Sequence, residues 1–447
     1  MSKLTFHLTS LGCAKNTVDS DSMAQLLERA GYQPTQSVYK ADVIIVNTCG
    51  FIEPAREESY RTLQTLAEAK RPGQLLIAAG CLTQRYGQEV VRRVPGIDGI
   101  LGTRRWMDIV ELVQALRNGQ PPAARYDLPN APTVDCDERG TLRASVSGSS
   151  AYLKIADGCR RPCAFCAIPL IKGTLVSRPL EAILADAHAL VKSGVRELIL
   201  IAQDTTDYGH DLGIKDGLSL LLDRLTQELP IESGLQWIRV LYAYPGYVTE
   251  RLIELMATRP QILPYLDMPL QHAHPDVLRR MRRPANVEWV YRTIATMRAA
   301  IPNLALRTTF IVGYPGETEH EFQTLLDFVR EMRFDRVGTF QFSYEEGTAS
   351  AALGDPIPAE VKEERYQRLM ELQQNISLQI NQTFVGRKLD VLIEGRKKNL
   401  LIGRSYRDAP EIDGLVFLEG KAGIGEIIPA HITGAMAYDL TGVVAAR

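Results

Sequence analysis

The sequence predicts an α/β protein built from three parts: an N-terminal open parallel α/β domain, a central TIM-like barrel and a small C-terminal five-stranded β-barrel. Strands alternate with helices over the first third of the 447 residues, the alternation resumes on a larger scale in the middle, and only short strands follow it at the end. Such alternation favours parallel sheets, whereas evenly spaced short strands favour a closed barrel. We expect the three domains at 1–130, 148–377 and 378–447.

The N-terminal domain is predicted from apolar strands and amphipathic helices that alternate along the chain. The strands are expected at 4–9, 43–47 and 75–79, and the helices at 19–30 and 53–70. A βαβ succession of this kind produces a parallel sheet.

Each of three early cysteines directly follows one of these strands: Cys13 the first, Cys49 the second and Cys81 the third. Because the carboxyl ends of parallel strands lie at the same edge of a sheet, we expect the three thiols to converge there. The convergence suggests a site with three thiolate ligands. The alternative that these cysteines are only small buried hydrophobic residues remains open.

The segment 118–150 is predicted to connect the first two domains. It is rich in proline, glycine, serine and charged residues and shows no sustained periodicity, as linkers do. It contains Cys136, which has no neighbouring motif and is interpreted as an unligated thiol.

The central domain is predicted from at least six strands that alternate with helices, which suggests a complete or partial TIM-like barrel. In such barrels the chemistry lies at the carboxyl ends of the strands. The candidate strands are 152–156, 197–202, 237–243, 265–270, 304–312 and 337–342.

Three further cysteines, Cys159, Cys163 and Cys166, form a CxxxCxxC run just after the first barrel strand. A structural zinc site would need a fourth ligand, and the next histidine, His188, lies well inside a predicted helix. Three thiolates suit a 4Fe-4S cluster with one iron left open for a substrate or cofactor. The alternative is three unrelated structural thiols.

Two polar residues in the barrel strands are candidate ligand contacts. Gln203 ends the second strand, and Arg307 interrupts the otherwise β-branched fifth strand. A buried arginine needs an anionic partner. If Arg307 points inward, a cofactor carboxylate could be that partner, and if it points outward, a helix glutamate could be.

The C-terminal domain follows a helix predicted at about 358–382. Its residues 378–447 contain nine Lys plus Arg against eight Asp plus Glu, so the electrostatic footprint of an RNA-binding module is absent. A protein surface, or protein presented within a ribonucleoprotein, is the favoured partner. The alternative is that this domain is only a passive cap on the central barrel. The candidate strands are 388–393, 400–405, 415–418, 426–433 and 437–443.

The whole chain has a formal net charge of -2, which gives no general attraction to nucleic acid or anionic lipid. No apolar stretch approaches the ~20 residues that a membrane span requires. Seven cysteines spread over the chain do not suggest a disulfide framework. These features predict a soluble, cytoplasmic protein with no membrane partner.

The CxxxCxxC run resembles the signature of the radical S-adenosylmethionine (SAM) enzymes, in which the amine and carboxylate of SAM chelate the open iron. Within them, the chain resembles the methylthiotransferases over nearly its whole length, and its C-terminal domain resembles the OB-like TRAM module. The N-terminal segments that match are Leu-Gly-Cys13-Ala-Lys-Asn-Thr-Val-Asp-Ser, Asn-Thr-Cys49-Gly-Phe-Ile and Ala-Gly-Cys81-Leu.

This resemblance implies two 4Fe-4S clusters, one at each cysteine triplet, with no catalytic residues beyond the cluster ligands. It implies that SAM yields a deoxyadenosyl radical at the cluster of Cys159, Cys163 and Cys166. It also implies that the cluster of Cys13, Cys49 and Cys81 offers its open iron as the attachment point for a sulfur, which a second SAM molecule methylates, and that the product carries a new C-SCH3 group. The turn from Gly313 to Glu317 resembles a segment that packs near the adenine of SAM. A low-potential electron donor is implied as well.

The family divides by substrate, and this chain resembles the branch that modifies the β-carbon of an aspartate in ribosomal protein S-twelve of the small subunit (uS12), free or assembled. The branch that modifies adenosine in tRNA typically has Gln-Met-Asn after the first cysteine. Matching segments are Cys13-Ala-Lys-Asn, Asn47-Thr-Cys49-Gly-Phe-Ile, Ile201-Ala-Gln-Asp-Thr-Thr-Asp-Tyr-Gly209, Pro269-Leu-Gln-His272 and Asp408-Ala-Pro-Glu-Ile-Asp-Gly414.

Arg160 and Lys172 depart from this pattern, where asparagine and arginine are usual. Neither is a predicted ligand, so only local contacts are in doubt. Two other functions remain as alternatives. A tRNA adenosine methylthiotransferase would need a more basic C-terminal domain, and a non-enzymatic iron-sulfur electron carrier would need neither the large barrel nor an open iron.

Overall fold

Three sheets organise the chain in the computed structural model, which describes residues 3–119, 125–129, 131–135 and 137–445. They are a parallel N-terminal sheet, a mainly parallel central sheet and a closed C-terminal barrel, which confirms the predicted fold class. No helix within these ranges is long and apolar enough to cross a membrane. Cys136, predicted to be an unligated thiol, lies outside the described residues.

The N-terminal sheet has six parallel strands in the order β2-β1-β3-β4-β5-β6. Its strands are β1 Thr5–Ser10, β2 Gln33–Pro34, β3 Val43–Thr48, β4 Leu75–Gly80, β5 Gly99–Gly102 and β6 Arg125–Asp127. Its helices are α1 Ala14–Arg29, α2 Glu53–Ala69, α3 Cys81–Tyr86, α4 Gln88–Arg93 and α5 Ile109–Asn118.

Strand β3 is buried along its whole length because helices cover both faces of the sheet. Val43 and Ile45 belong to the apolar core on the side of α1 and α5. Ile44 and Val46 belong to the core on the side of α2. Apolar side chains therefore cover both faces of the sheet.

The central sheet has the order β15-β14-β13-β12-β11-β8-β7 and does not close on itself, so it is a partial barrel. Six strands are parallel and β7 is an antiparallel edge. The strands are β7 Ala144–Ser147, β8 Ser150–Lys154, β11 Glu197–Ile201, β12 Trp237–Val240, β13 Ile262–Asp267, β14 Ala305–Val312 and β15 Arg336–Gln341, with a separate pair β9 Ala156–Asp157 and β10 Val176–Ser177. The helices are α6 Ile168–Lys172, α7 Leu180–Lys192, α8 Gly217–Glu228, α9 Glu250–Thr258, α10 Pro275–Arg280, α11 Val287–Ala300, α12 Glu319–Met332 and α13 Ala359–Gln382.

Two differences from the sequence-based predictions affect how the first two domains are built. Helix α1 begins at Ala14, five residues before the predicted start, so Cys13 lies directly at its N-terminus. The segment 118–150 was expected to be only a connection, but it supplies β6 to the first sheet and β7 to the second. Both strands are short and pair through the backbone, which leaves little periodicity in the sequence.

The C-terminal barrel closes in the order β16-β17-β18-β20-β19, and β19 pairs back to β16. Arg404 of this barrel lies 2.6 Å from Glu197 of β11, and both side chains are almost completely buried. Buried ion pairs of this kind fix the barrel against the back of the central sheet. The strands are β16 Lys388–Lys397, β17 Leu400–Ser405, β18 Val416–Glu419, β19 Ile427–Ala435 and β20 Leu440–Val444.

A buried ionic network joins the N-terminal domain to the central sheet. Asp19 of α1 binds the ammonium groups of Lys154 and Lys172 at 2.5 and 3.0 Å. Asp157 binds the same two lysines at 3.1 and 2.8 Å. Arg143 adds a third cation, 2.6 Å from Asp19. All five side chains are at most 8% exposed, so salt and water screen them little.

We expect Asp19→Asn to destabilise the protein by about 3–5 kcal/mol, because it leaves buried cations without their partner. The measurement is the denaturant midpoint of unfolding of the metal-free protein. Glu57→Gln is the matched control, since the Arg93–Glu57 pair is 41% and 43% exposed and such pairs contribute at most ~1 kcal/mol. If the two variants shift the midpoint equally, the network does not hold the domains together.

Candidate active site

Three cysteines meet at the carboxyl edge of the N-terminal sheet. Cys13 precedes α1, Cys49 follows β3, and Cys81 begins α3 directly after β4. All three line one cavity of about 400 Å³. The parallel strands therefore bring together thiols that are far apart in the sequence.

The second set of cysteines lines the same cavity from the central domain. Cys159, Cys163 and Cys166 lie in the loop between β9 and α6. The Cys159 sulfur accepts a hydrogen bond from the backbone N–H of Arg161 at 3.4 Å, and the Cys166 sulfur accepts one from Ile168 at 3.5 Å. Hydrogen bonds to sulfur are one means by which proteins tune iron-sulfur clusters.

Gly12 allows the Cys13 loop to lie against Cys49. Its φ is 92°, in the left-handed region, and a Cβ at this position would be 2.9 Å from Cys49 Cβ and 3.1 Å from its Sγ. Only glycine combines this backbone conformation with so close an approach. The close packing at this edge is thus built into the sequence.

The spread of the sulfur atoms fits a multi-iron cluster better than a single ion. Among the described residues, one group of three has ligand atoms that all lie within 4.8 Å of one another, namely His274, Asp276 and Glu321. Neither cysteine triplet is that compact. A tetrahedral zinc ion, with Zn–S bonds of about 2.3 Å, would hold its sulfurs within ~4 Å. The cysteines present therefore fit iron-sulfur clusters, which take thiolate ligands.

Burial keeps most of these thiols protonated when no metal is bound. It raises the pKa of Cys49 and of Cys159 to about 11, and that of Cys166 to about 12. Cys13 differs, although desolvation within the cavity would by itself raise its pKa. Lys15 and the N–H groups at the start of α1 outweigh that effect and lower the pKa of Cys13. Metal binding must displace the remaining protons.

Two arginines of the central domain frame the cavity near the second triplet. Arg161 pairs with Asp204 at 2.6 Å and stacks on the ring of Tyr244 at 4.5 Å. Arg283 stacks on the same ring at 4.1 Å and points Nη1 toward the sulfur of Cys163 at 3.6 Å. These side chains give this end of the cavity a fixed, aromatic wall.

The two sequence departures, Arg160 and Lys172, make well-defined contacts. Arg160 forms a two-point pair with Asp207, with both N–O distances at 2.7 Å. Lys172 belongs to the interdomain network and also lines the cavity beside the cysteines. Lys172 therefore keeps the positive charge of the usual arginine, whereas Arg160 adds a positive charge that pairs with Asp207.

Gln203 lines the cavity, and its side-chain oxygen is buried without a hydrogen-bond partner among the described residues. An unsatisfied buried acceptor costs about 1–3 kcal/mol, so such atoms call for a ligand or another explanation. A donor group on a bound cofactor would satisfy this one.

Arg307 does not line the cavity, so the structure gives no support to its predicted contact with a cofactor carboxylate. It pairs instead with Asp267 of the neighbouring strand at 2.9 Å and lies 3.4 Å from Asp413 of the C-terminal domain. Neither partner is the helix glutamate considered as the alternative. The anionic partner that the sequence required is present, since Asp267 lies on the adjacent strand of the same sheet and Asp413 comes from the C-terminal domain.

Gly313 and Glu317 are also absent from the cavity wall. Glu317 pairs with Arg365 of α13 at 3.0 Å, and burial raises its pKa to about 7. Gly313 has a φ of 70°, and a Cβ there would lie 2.3 Å from the side chain of Lys362. In this arrangement both residues join the last barrel strands to α13, and the predicted contact with SAM stays untested.

Several cavity residues carry no clear signal in the sequence. Lys15 and Arg161 are neighbours of the predicted cysteine ligands in the sequence. Tyr242 and Tyr244 follow β12 as Gln203 follows β11, so their position after a strand end could have suggested these two tyrosines. Arg283 lies in a loop after α10, where nothing in the sequence points to the cavity.

Comparison with known families divides the chain into three matched regions. Residues 5–102 match the model of "Uncharacterized protein family UPF0004", residues 153–329 match "Radical SAM superfamily", and residues 385–445 match "TRAM domain".

Curated relatives match over almost the full length. The "Ribosomal protein uS12 methylthiotransferase RimO" of Chloroflexus aurantiacus is 51% identical, over 98% of this chain and 99% of that protein. The chain belongs to the RimO family of radical SAM methylthiotransferases. RimO proteins of a Roseiflexus species and of Herpetosiphon aurantiacus are 47% and 46% identical, over 98% of this chain in each case and over 97% and 99% of the relatives. SAM and an iron-sulfur cluster are thus cofactors of this RimO family member.

The fold of this RimO family member is similar to that of solved radical SAM enzymes. The radical SAM methyltransferase TsrM from Kitasatospora setae, with cobalamin and a [4Fe-4S] cluster bound, has a TM-score of 0.59 over 86% of this chain and 79% of its own. The cobalamin-dependent radical SAM enzyme OxsB has a TM-score of 0.51 over 84% of this chain and 61% of its own. Both are 12% identical to this chain, so the likeness concerns the fold alone.

We expect Gln203→Met to weaken SAM binding about 5- to 15-fold, because one hydrogen bond to a ligand contributes about 1–1.5 kcal/mol. Binding is measured by equilibrium dialysis of labelled SAM against the reconstituted protein without reductant. Gln236→Met is the matched control, since its side-chain oxygen is equally unpartnered but lies outside the cavity. Equal losses in the two variants would show that Gln203 does not contact SAM.

Proposed function

We propose that this enzyme attaches a methylthio group to the β-carbon of an aspartate in ribosomal protein uS12. Its relatives at 45–51% identity carry that protein in their names. We further propose that it uses two 4Fe-4S clusters and receives electrons from a low-potential donor. The substrate is uS12, either free or within the small subunit.

The observation that carries this proposal is that both cysteine triplets line one cavity. Cys159, Cys163 and Cys166 would hold the cluster that binds SAM. The cluster and SAM together would supply a carbon radical that can take hydrogen from an unactivated C–H bond. The other triplet would hold the second cluster, at the sulfur-donating end. A substrate carbon placed between them would be within reach of both.

The protein side chains of this cavity would hold and shield the reactants. The stacked Arg161, Tyr244 and Arg283 limit the mobility of the wall at the SAM end. At the other end Asn16 accepts a hydrogen bond from the Cys81 thiol at 3.5 Å and donates to the backbone oxygens of Leu11 and Thr48. A rigid, enclosed site excludes water and fixes geometry, which radical chemistry requires.

The charge of the C-terminal barrel supports a protein substrate rather than tRNA. Its Lys and Arg are nearly balanced by Asp and Glu. Arg404 and Arg407 are also buried, where they pair with Glu197 and Asp335 of the central domain. Fewer cations therefore remain to bind phosphates, on which RNA affinity largely depends.

We expect the two cysteine triplets to separate in function. Alanine at Cys159, Cys163 and Cys166 should reduce SAM cleavage to background, because the cluster that binds SAM would be missing. Alanine at the other triplet should leave cleavage intact and abolish methylthio transfer. The measurements are release of methionine and 5′-deoxyadenosine, the iron content, and the mass of uS12 after anaerobic reaction with SAM and reductant.

Cys136→Ala is the control and should retain both activities. About eight iron atoms per chain in the wild type would support two clusters, and about four would support only one. A methylthio group found on tRNA and not on uS12 would transfer the assignment to the tRNA branch. If the protein neither cleaves SAM nor yields a modified product, electron transfer by an iron-sulfur carrier is the remaining function.

A further inference from the structure

Lys15 is a cation of the cavity wall that no carboxylate neutralises. Among the described residues no carboxylate oxygen lies within 4 Å of its ammonium, whose close contact is the face of the Tyr242 ring, 3.4 Å from the centroid. A lysine side chain is positively charged at neutral pH and has three donors to offer. Its charge is therefore available to a ligand in the cavity.

The other cations of the cavity are already engaged. Arg161 pairs with Asp204, and Lys172 pairs with both carboxylates of the interdomain network. Arg283 lies at the SAM end, where it donates to the Pro269 carbonyl and points toward Cys163. Lys15 is thus the one free cation, within the described residues, at the end where the N-terminal cysteines lie.

The chain holds the partner of Lys15 in a strained conformation. Tyr242 has a φ of 61°, which non-glycine residues rarely adopt. Its backbone N–H donates to Asp267 at 3.2 Å, and its carbonyl accepts from the N–H of Thr205 at 3.1 Å. Such strain costs of order 1–3 kcal/mol and persists where the surrounding structure enforces it, commonly at functional sites. Here it sets the aromatic ring beneath the ammonium.

We propose that Lys15 binds the side-chain carboxylate of the substrate aspartate and so turns its β-carbon toward the two cysteine triplets. This inference rests on the proposed function. A carboxylate is the one charged group that such a substrate brings to the reacting carbon, and a charge-assisted hydrogen bond in an enclosed cavity is about twice as strong as a neutral one. Lys15 would then be the residue that distinguishes aspartate from asparagine.

The contrasting role for Lys15 is to balance the negative charge of cysteine thiolates, because it follows Cys13 closely. The two roles predict different behaviour. A charge-balancing lysine affects the cluster whatever the substrate, whereas a carboxylate-binding lysine affects only the substrate that carries the carboxylate.

The test compares how tightly two synthetic peptides bind to the reconstituted protein in the presence of SAM and the absence of reductant. Fluorescence anisotropy measures the binding. One peptide spans the target aspartate of uS12, and the other has asparagine in its place. We expect the wild type to bind the aspartate peptide 10- to 100-fold more tightly, because an uncharged ligand leaves the ammonium unpaired. In Lys15→Met, which keeps most of the length of the side chain but removes its charge, the two affinities should become equal.

Lys15→Arg should restore part of the preference, and Lys40→Met, an exposed lysine of the same domain, should leave it unchanged. Iron content and the spectrum of the bound clusters are recorded for every variant. Under turnover, Lys15→Met should raise the KM for the aspartate peptide.

If Lys15→Met keeps the preference for aspartate, or changes only the cluster spectrum, the assignment of Lys15 is wrong while the proposed function stands. If the wild type neither binds nor modifies the peptide or intact uS12, the proposed function is wrong and the assignment of Lys15 falls with it.

Discussion

The cavity depends on the buried ionic network that joins the first helix to the first strands of the central domain. Asp19 reaches from one side to lysines that belong to the other. Burying charges is costly, and a pair repays the cost only when its geometry is good. Such a network therefore tolerates few relative positions of the two domains, and that restriction keeps two distant cysteine triplets facing each other.

Much of the site follows from the rule that parallel strands present their carboxyl ends at one edge. It predicts that Cys13, Cys49 and Cys81 converge, and it places the second triplet and Gln203 at the corresponding edge of the central sheet. The rule uses only the order of elements, which the sequence shows clearly. It says nothing about which side chains point together once two domains meet.

The sequence is least informative where a residue or strand has its partner in another part of the chain. The partners of Arg307 include Asp413, more than a hundred residues away in a loop of the C-terminal barrel. Strands β6 and β7 were missed because their pairing relies on a neighbouring sheet and not on their own pattern. Lys15 lies two residues after Cys13, yet its free charge becomes visible only when the cavity is assembled.

The network also has a consequence for the order of synthesis. Asp19 leaves the ribosome early, whereas Lys154 and Lys172 follow well over a hundred residues later. Domains generally fold as units during translation, the N-terminal one first. The first domain must therefore form its sheet while its key carboxylate still faces water, and the six thiols share an enclosed space only after the central domain has emerged. Iron loading at the first triplet before that moment would occur in an open cleft, exposed to oxygen and to competing metals.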